Sequence, residues 1–143
     1  MSNDKIVLFL VDDDAVFLKS LGIEFQLNTD FIVETFATGE LCVASLARQP
    51  DVIILDYLLN GVDKNAMNGI ETLDKVKAFS PDLPVIMLSA QDKIEVAVRC
   101  MHHKALDYFV KSETTFLHLQ QSITAFFHHK GVEKALNWYV DRM

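Results

Sequence analysis

A run of six apolar residues, Ile6 to Val11, leads directly into three aspartates, Asp12, Asp13 and Asp14. Like charges held together raise one another's pKa unless a cation neutralises them. A hard divalent ion such as Mg²⁺ does so with oxygen ligands and retained waters. Three further polar residues also end apolar runs: Asp56 closes "DVIILD", Ser89 follows "PVIML" and Lys111 follows "LDYFV". Brought together, carboxylates, a hydroxyl and a fixed positive charge suit phosphoryl transfer, where positioning and charge neutralisation supply most of the catalysis. In that chemistry Asp56, between the metal and the lysine, is the nucleophile. Ser89 offers a hydroxyl to an oxyanion, and Lys111 steadies it from the far side. Each residue alone has an ordinary explanation: a solvated turn, a helix cap or a strand-end serine. Asp14 suits a cap better than a ligand.

Whether these residues meet depends on the elements that carry them. "KIVLFLV" (5–11) reads as a buried strand, without polar alternation. Phe17, Leu18, Leu21 and Phe25 follow at helical spacing behind Asp14. "FIVETFA" (31–37) is a second strand, and Thr38 opens a short helix with Leu41 and Leu46 facing inward, ended by Pro50. "DVIILD" (51–56) is the third strand. The Asn- and Gly-containing loop 57–69 permits turns, and Ile70, Leu73 and Val76 carry a third helix. "PVIML" (84–88) is the fourth strand. Ile94, Ala97, Val98 and Met101 mark the fourth helix, and "LDYFV" (106–110) is the fifth strand. Phe116, Leu119, Ile123 and Phe126 give a fifth helix, expected to close at Gly131. Val132, Leu136, Tyr139 and Val140 share a stripe that predicts a short extra helix.

Five strands alternating with helices predict a parallel sheet covered on both faces. Such sheets bind ligands beyond the carboxyl ends of their strands. Asp12, Asp13, Asp56, Ser89 and Lys111 all fall at those ends. The spacing therefore predicts one site.

The composition narrows the setting. The 143 residues fit one domain; half are hydrophobic, with 5 Gly and 3 Pro, as in a packed globule. The apolar runs are too short to span a bilayer, and "MSNDK" lacks a signal-peptide layout, so a cytoplasmic protein is expected. A net charge of −7 disfavours direct nucleic-acid binding. Cys42 and Cys100 read as buried free thiols. His102, His103, His128 and His129 occur as adjacent pairs, which point in different directions on a helix, so a solvated face is expected in place of a metal site.

"VDDD" (11–14), "ILD" (54–56), "MLSA" (87–90) and "DYFVK" (107–111) together resemble the receiver domain of two-component response regulators. The resemblance covers roughly nine-tenths of the chain and implies a doubly wound, flavodoxin-like α/β fold of strand order 2-1-3-4-5. It implies Asp56 as phosphoacceptor, and Mg²⁺ held by Asp12, Asp13, Asp56 and the Leu58 carbonyl, with Asp13 the more direct ligand of the pair. It further implies Ser89 and Tyr108 as switch residues, and Lys111 holding a phosphoryl oxygen. The expected role is a switch with modest self-catalysis, short of a turnover enzyme. Its expected partners are a histidine kinase or phosphotransfer protein and a downstream output domain or protein. Residues 1–130 are expected to form the receiver, and 131–143 an extra helix that either packs on its own domain or serves as a linker start or homodimer contact, the latter two being favoured.

Two features depart from that pattern. Ser112 stands where Pro usually follows the lysine, so a cis bond there would be a costly non-proline one. Gly69 lies 13 residues beyond Asp56, several more than usual, and the extra "GVDKNA" reads as a neutral surface insertion. A rival also exists. "DDDAV" (12–16) fits the first motif of haloacid-dehalogenase-like phosphohydrolases, with Asp12 as nucleophile. That family needs a later acidic strand end, which this chain lacks after Lys111, and it leaves Asp56 without a role.

Overall fold

The computed structural model describes residues 5–142, with side chains as far as His128. Five strands, β1 (Ile6–Val11), β2 (Phe31–Phe36), β3 (Val52–Asp56), β4 (Val85–Ser89) and β5 (Asp107–Val110), alternate with five helices. The helices are α1 (Ala15–Gln26), α2 (Gly39–Ala44), α3 (Gly69–Phe79), α4 (Ile94–His102) and α5 (Thr115–Arg142), with a 3₁₀ turn at Leu46–Arg48. All strand pairings are parallel, and the order is β2-β1-β3-β4-β5.

Both faces of the central strands are covered, which explains their unbroken apolar runs. Successive side chains alternate between two cores. Phe9, Val11, Ile53, Leu55, Val85 and Met87 pack with Cys42, Leu73, Val76 and Cys100 beneath α2, α3 and α4. Leu8, Leu10, Ile54, Ile86 and Leu88 pack with Leu21, Phe25, Leu119 and Ile123 beneath α1 and α5. A slip of one residue in any strand would exchange these sets, so the cores hold the register that aligns the strand ends.

Three expectations change. Leu41 is 54% exposed, and Cys42 takes the buried place on α2; this short helix lies over the sheet edge, which covers one narrow strip of it. On α4, Val96 and Cys100 face the sheet, while Ile94, Val98 and Met101 point outward. The helix carries two apolar stripes, and the sheet accommodates one. α5 continues through Gly131 to Arg142 without a break. A glycine ends a helix when the backbone turns left-handed, and no described glycine has positive φ; inside a helix it costs only about 1 kcal/mol relative to Ala. The stripe from Val132 to Val140 lies outside the described side chains. Among the described residues no helix is long and apolar enough to cross a membrane.

Candidate functional site

The three aspartates after β1 are held in three different ways. The Asp12 N–H donates to the Phe36 carbonyl (3.0 Å), tying it to the end of β2. Its Oδ1 accepts the Asp14 N–H at 2.9 Å. Asp14 turns away to cap α1, accepting from the N–H groups of Val16 and Phe17 at 3.1 Å each. Asp13 lies between them, half-buried, its Oδ2 accepting from the N–H groups of Gly61 (3.0 Å) and Val62 (3.2 Å).

Asp56 is the last residue of β3, opposite Leu88. The Tyr57 N–H donates to Leu88 O at 2.7 Å, and the Gly69 N–H to Tyr57 O at 3.0 Å. A Cβ on Gly69 would stand 2.4 Å from the Asp56 carbonyl oxygen. Only glycine lets α3 begin this close to the end of β3. On the next strand pair, the Lys111 N–H donates to Ser89 O at 2.8 Å, holding the lysine's backbone beside the serine.

These elements place one carboxylate oxygen each from Asp12, Asp13 and Asp56 within 4.8 Å of one another. Lys111 Nζ lies 2.7 Å from Asp12 Oδ2 and 3.5 Å from Asp56 Oδ1. The Phe17 ring covers the ammonium, with its centroid 4.3 Å away. Asp12 (3% exposed), Asp56 (5%) and Ser89 (2%) are buried. They line an open cavity of ≈ 260 Å³ together with Asp13, Leu58 and Lys111.

The electrostatics of this cluster are unbalanced. Burial pushes Asp56 up to about 7, with the Asp12 carboxylate adding to the rise and Lys111 opposing it. Burial also raises Asp12, against the pull of Lys111 and the Asp14 N–H. For Lys111, burial acts downward, but the two carboxylates outweigh it and its pKa lies above the usual lysine value. The Lys111 ammonium therefore faces two carboxylates, Asp12 and Asp56, of a group of three. Asp12 Oδ2 is buried without an aligned hydrogen bond, its partner being the ammonium in ion-pair contact. An all-oxygen donor set short of positive charge fits a hard divalent cation such as Mg²⁺.

The structure thus brings Asp12, Asp13, Asp56, Leu58, Ser89 and Lys111 to one cavity. Tyr108 is half-buried on β5, two residues before Val110, the register partner of Ser89. Gln91, which sequence reasoning missed, links the two: its N–H donates to Ser89 Oγ (3.0 Å), and its carbonyl accepts from the Tyr108 hydroxyl (2.7 Å). Arg99 was missed as well; its guanidinium donates to the Tyr57 hydroxyl at 3.3 Å, joining α4 to the residue after Asp56. The Gln91 link runs through its backbone and leaves no mark on residue types, while the Arg99 link pairs two side chains 42 positions apart in sequence. The long loop was visible by its length, but it is not a detached surface insertion. Besides its bonds to Asp13, its Met67 N–H donates to Glu40 Oε2 at 2.8 Å.

The remaining candidates resolve simply. No described peptide bond is cis, including that before Ser112. Cys42 and Cys100 are buried free thiols, which burial raises to about 12 and about 11. His103 pairs with Asp74 at 2.8 Å, and His102 and His128 are exposed; the side chain of His129 lies outside the described residues. Asp12 is poorly placed as a nucleophile, since Oδ1 is held by Asp14 and Oδ2 faces the lysine.

Comparison with known proteins agrees with this geometry. Residues 8–123 match the family described as the response regulator receiver domain. The regulatory protein LuxO of Vibrio cholerae is 31% identical over 100 residues, 69% of this chain and 21% of that one. A CheY-like receiver domain protein from Methanospirillum hungatei aligns with a TM-score of 0.74 at 23% identity, covering 90% of this chain and 98% of its own. The CheX–CheY–BeF3–Mg²⁺ complex from Borrelia burgdorferi aligns with a TM-score of 0.73 at 25% identity, covering 85% and 89%. The chain spans less than half the length of the first curated relatives it matches, 21% to 43%.

Proposed function

The chain belongs to the response regulator receiver family, and from that membership we propose that Asp56 accepts a phosphoryl group from a histidine kinase or phosphotransfer protein. The observation that carries this reading is the position of Asp56: a buried strand-end carboxylate beside Asp12, Asp13 and Lys111. An Asp56 oxygen bonds to phosphorus as the bond from phosphorus to the donor's histidine nitrogen breaks, and the electron pair stays on that nitrogen. Lys111 holds a phosphoryl oxygen, and Ser89 donates its hydroxyl to another. The carboxylates of Asp12, Asp13 and Asp56 and the Leu58 carbonyl would hold Mg²⁺, which supplies charge neutralisation to the transferring group. The same groups assist later hydrolysis, so the domain is a switch more than a turnover enzyme.

When Ser89 turns toward the phosphoryl group it leaves the Gln91 N–H, and the Tyr108 hydroxyl can leave the Gln91 carbonyl in the same movement. That change would reshape the α4–β5 face, where Ile94, Val98 and Met101 are exposed, for an output domain or protein in the cytoplasm. Residues 1–130 constitute the receiver in this reading, and 131–143 a linker start or homodimer contact. The acidic net charge argues against direct nucleic-acid contact.

Incubation with acetyl phosphate and Mg²⁺ should add one phosphoryl group by intact mass spectrometry. Prior chelation or Asp56→Asn should abolish it, and hydroxylamine should remove it. Label on Asp12, or full yield in Asp56→Asn, would support the hydrolase reading instead. With beryllofluoride, NMR shifts should extend from Asp56 to Gln91, Tyr108 and α4; shifts confined to the cavity would rule out the switch.

A further inference from the structure

The loop between β3 and α3 is longer than the receiver pattern needs, and its backbone is bound to the site. Two consecutive N–H groups, of Gly61 and Val62, converge on one oxygen, Asp13 Oδ2, at 3.0 and 3.2 Å. Among the described residues the hydrogen bonds to this carboxylate all fall on Oδ2, leaving Oδ1 free of them. The Val62 side chain is 81% exposed, so the backbone, and not apolar burial, docks the loop here. A Cβ on Gly61 would stand 3.3 Å from Asp13 Oδ2, a close approach that glycine makes easy. The loop is also braced internally and at its far flank. The Asn65 N–H donates to Asp63 Oδ1 (2.9 Å), the Ala66 N–H to Asp63 O (3.1 Å) and the Met67 N–H to Glu40 Oε2 on α2 (2.8 Å).

We propose that this loop is a positioning element for the cation site, in which the paired N–H groups of Gly61 and Val62 hold Asp13 Oδ2 and present Oδ1 to Mg²⁺. The inference rests on the cation-site reading above and adds a chain-specific part to it. Groups that hydrogen-bond a ligating carboxylate orient it and tune its affinity for the metal. Asp13 needs such a restraint, because Asp12 is already held by Asp14 and Lys111, while among the described residues Asp13 has no hydrogen-bond or ion-pair partner besides Gly61 and Val62. Coupling runs both ways: if the docked loop favours the cation, the bound cation favours the docked loop by the same factor. Residues 61–67 thereby sense whether the site is loaded.

The test uses the full chain and Mg²⁺ alone. Val62→Pro removes one N–H, and deletion of residues 61–66 removes both; calorimetry should show Mg²⁺ affinity weakened about 10-fold or more. Val62→Ala, which keeps the N–H, should rescue the affinity lost in Val62→Pro. In the wild-type protein, hydrogen exchange at the Gly61 and Val62 amides should slow on Mg²⁺ addition, a response that loop packing alone would not produce. Wild-type affinity in both Val62→Pro and the deletion would overturn the proposal, and tighter binding would show that the amides compete with the cation. Exchange that is unchanged or faster with Mg²⁺ would overturn it even if the variants fail to fold. If Asp13→Ala loses Mg²⁺ while Val62→Pro retains it, the cation site stands and the loop's role falls. If the wild-type protein binds no Mg²⁺, the site reading itself falls.

Discussion

At the scale of single residues, the cluster around Asp56 stores a conflict that pH can expose. Asp56 has a pKa of about 7 in the folded protein, raised first by burial and then by Asp12, against an ordinary value of 3.8. Between those values the folded state binds more protons than the unfolded state, so stability falls as pH rises. Asp12 is raised as well and acts in the same direction. The metal-free protein should therefore lose stability as pH increases from 4 through 7, by roughly 1.4 kcal/mol for each unit of displacement. Asp56→Asn should flatten that slope in chemical denaturation, and saturating Mg²⁺ should recover the loss, since a ligand of the native state stabilises it. A metal-free protein equally stable at pH 5 and 8 would mean the carboxylates are not in conflict. Lys111 titrates above this window: its raised pKa adds stability below 10.5 that disappears only above its folded value.

At the scale of elements, the adjacent aspartates serve different structures, and variants separate them. Asp14 accepts two N–H groups at the start of α1, so Asp14→Ala should cost about 1 kcal/mol of stability while Mg²⁺ binding is kept. Asp13→Ala should do the reverse, with a sharp loss of Mg²⁺ affinity in calorimetry and little change in melting temperature. Equal effects of the two would mean the division of labour is wrong. How much of this was legible depended on how each element is buried. β1, β3 and β4 are covered on both faces, so their apolar runs and polar ends stand out, and Asp12, Asp13, Asp56 and Ser89 at those ends meet Lys111, which follows β5, in one cavity. The phase of α4 was hidden because Ile94, Val98 and Met101 form as good a stripe as Val96 and Cys100. Leu41 and Cys42 present a similar ambiguity on α2. The bonds from Gly61 and Val62 to Asp13 come from the backbone, which every residue type possesses, and only the length of the loop hinted at them.

At the scale of the whole molecule, sheet and site are complete by Lys111, although α5 runs on to Arg142. Truncation after Lys130 should therefore change the unfolding free energy of the monomer by less than about 1 kcal/mol, and should abolish any self-association detected by sedimentation. A large fall in melting temperature would instead make the last turns part of the receiver's own core. The strand order has a further consequence, in time. β1 is made first, yet it lies between β2 and β3, and its second neighbour is absent until residue 56 has been translated. At about 5–20 residues per second, the ribosome delivers Asp12 and Asp13 seconds before Asp56, and Lys111 later still. Until residue 56 arrives β1 has an unpaired edge, and until Lys111 arrives Asp12 lacks the ammonium it faces in the finished protein. Under the function proposed above, a nascent chain cannot take up a phosphoryl group until Lys111, which directly follows the last strand, has been added.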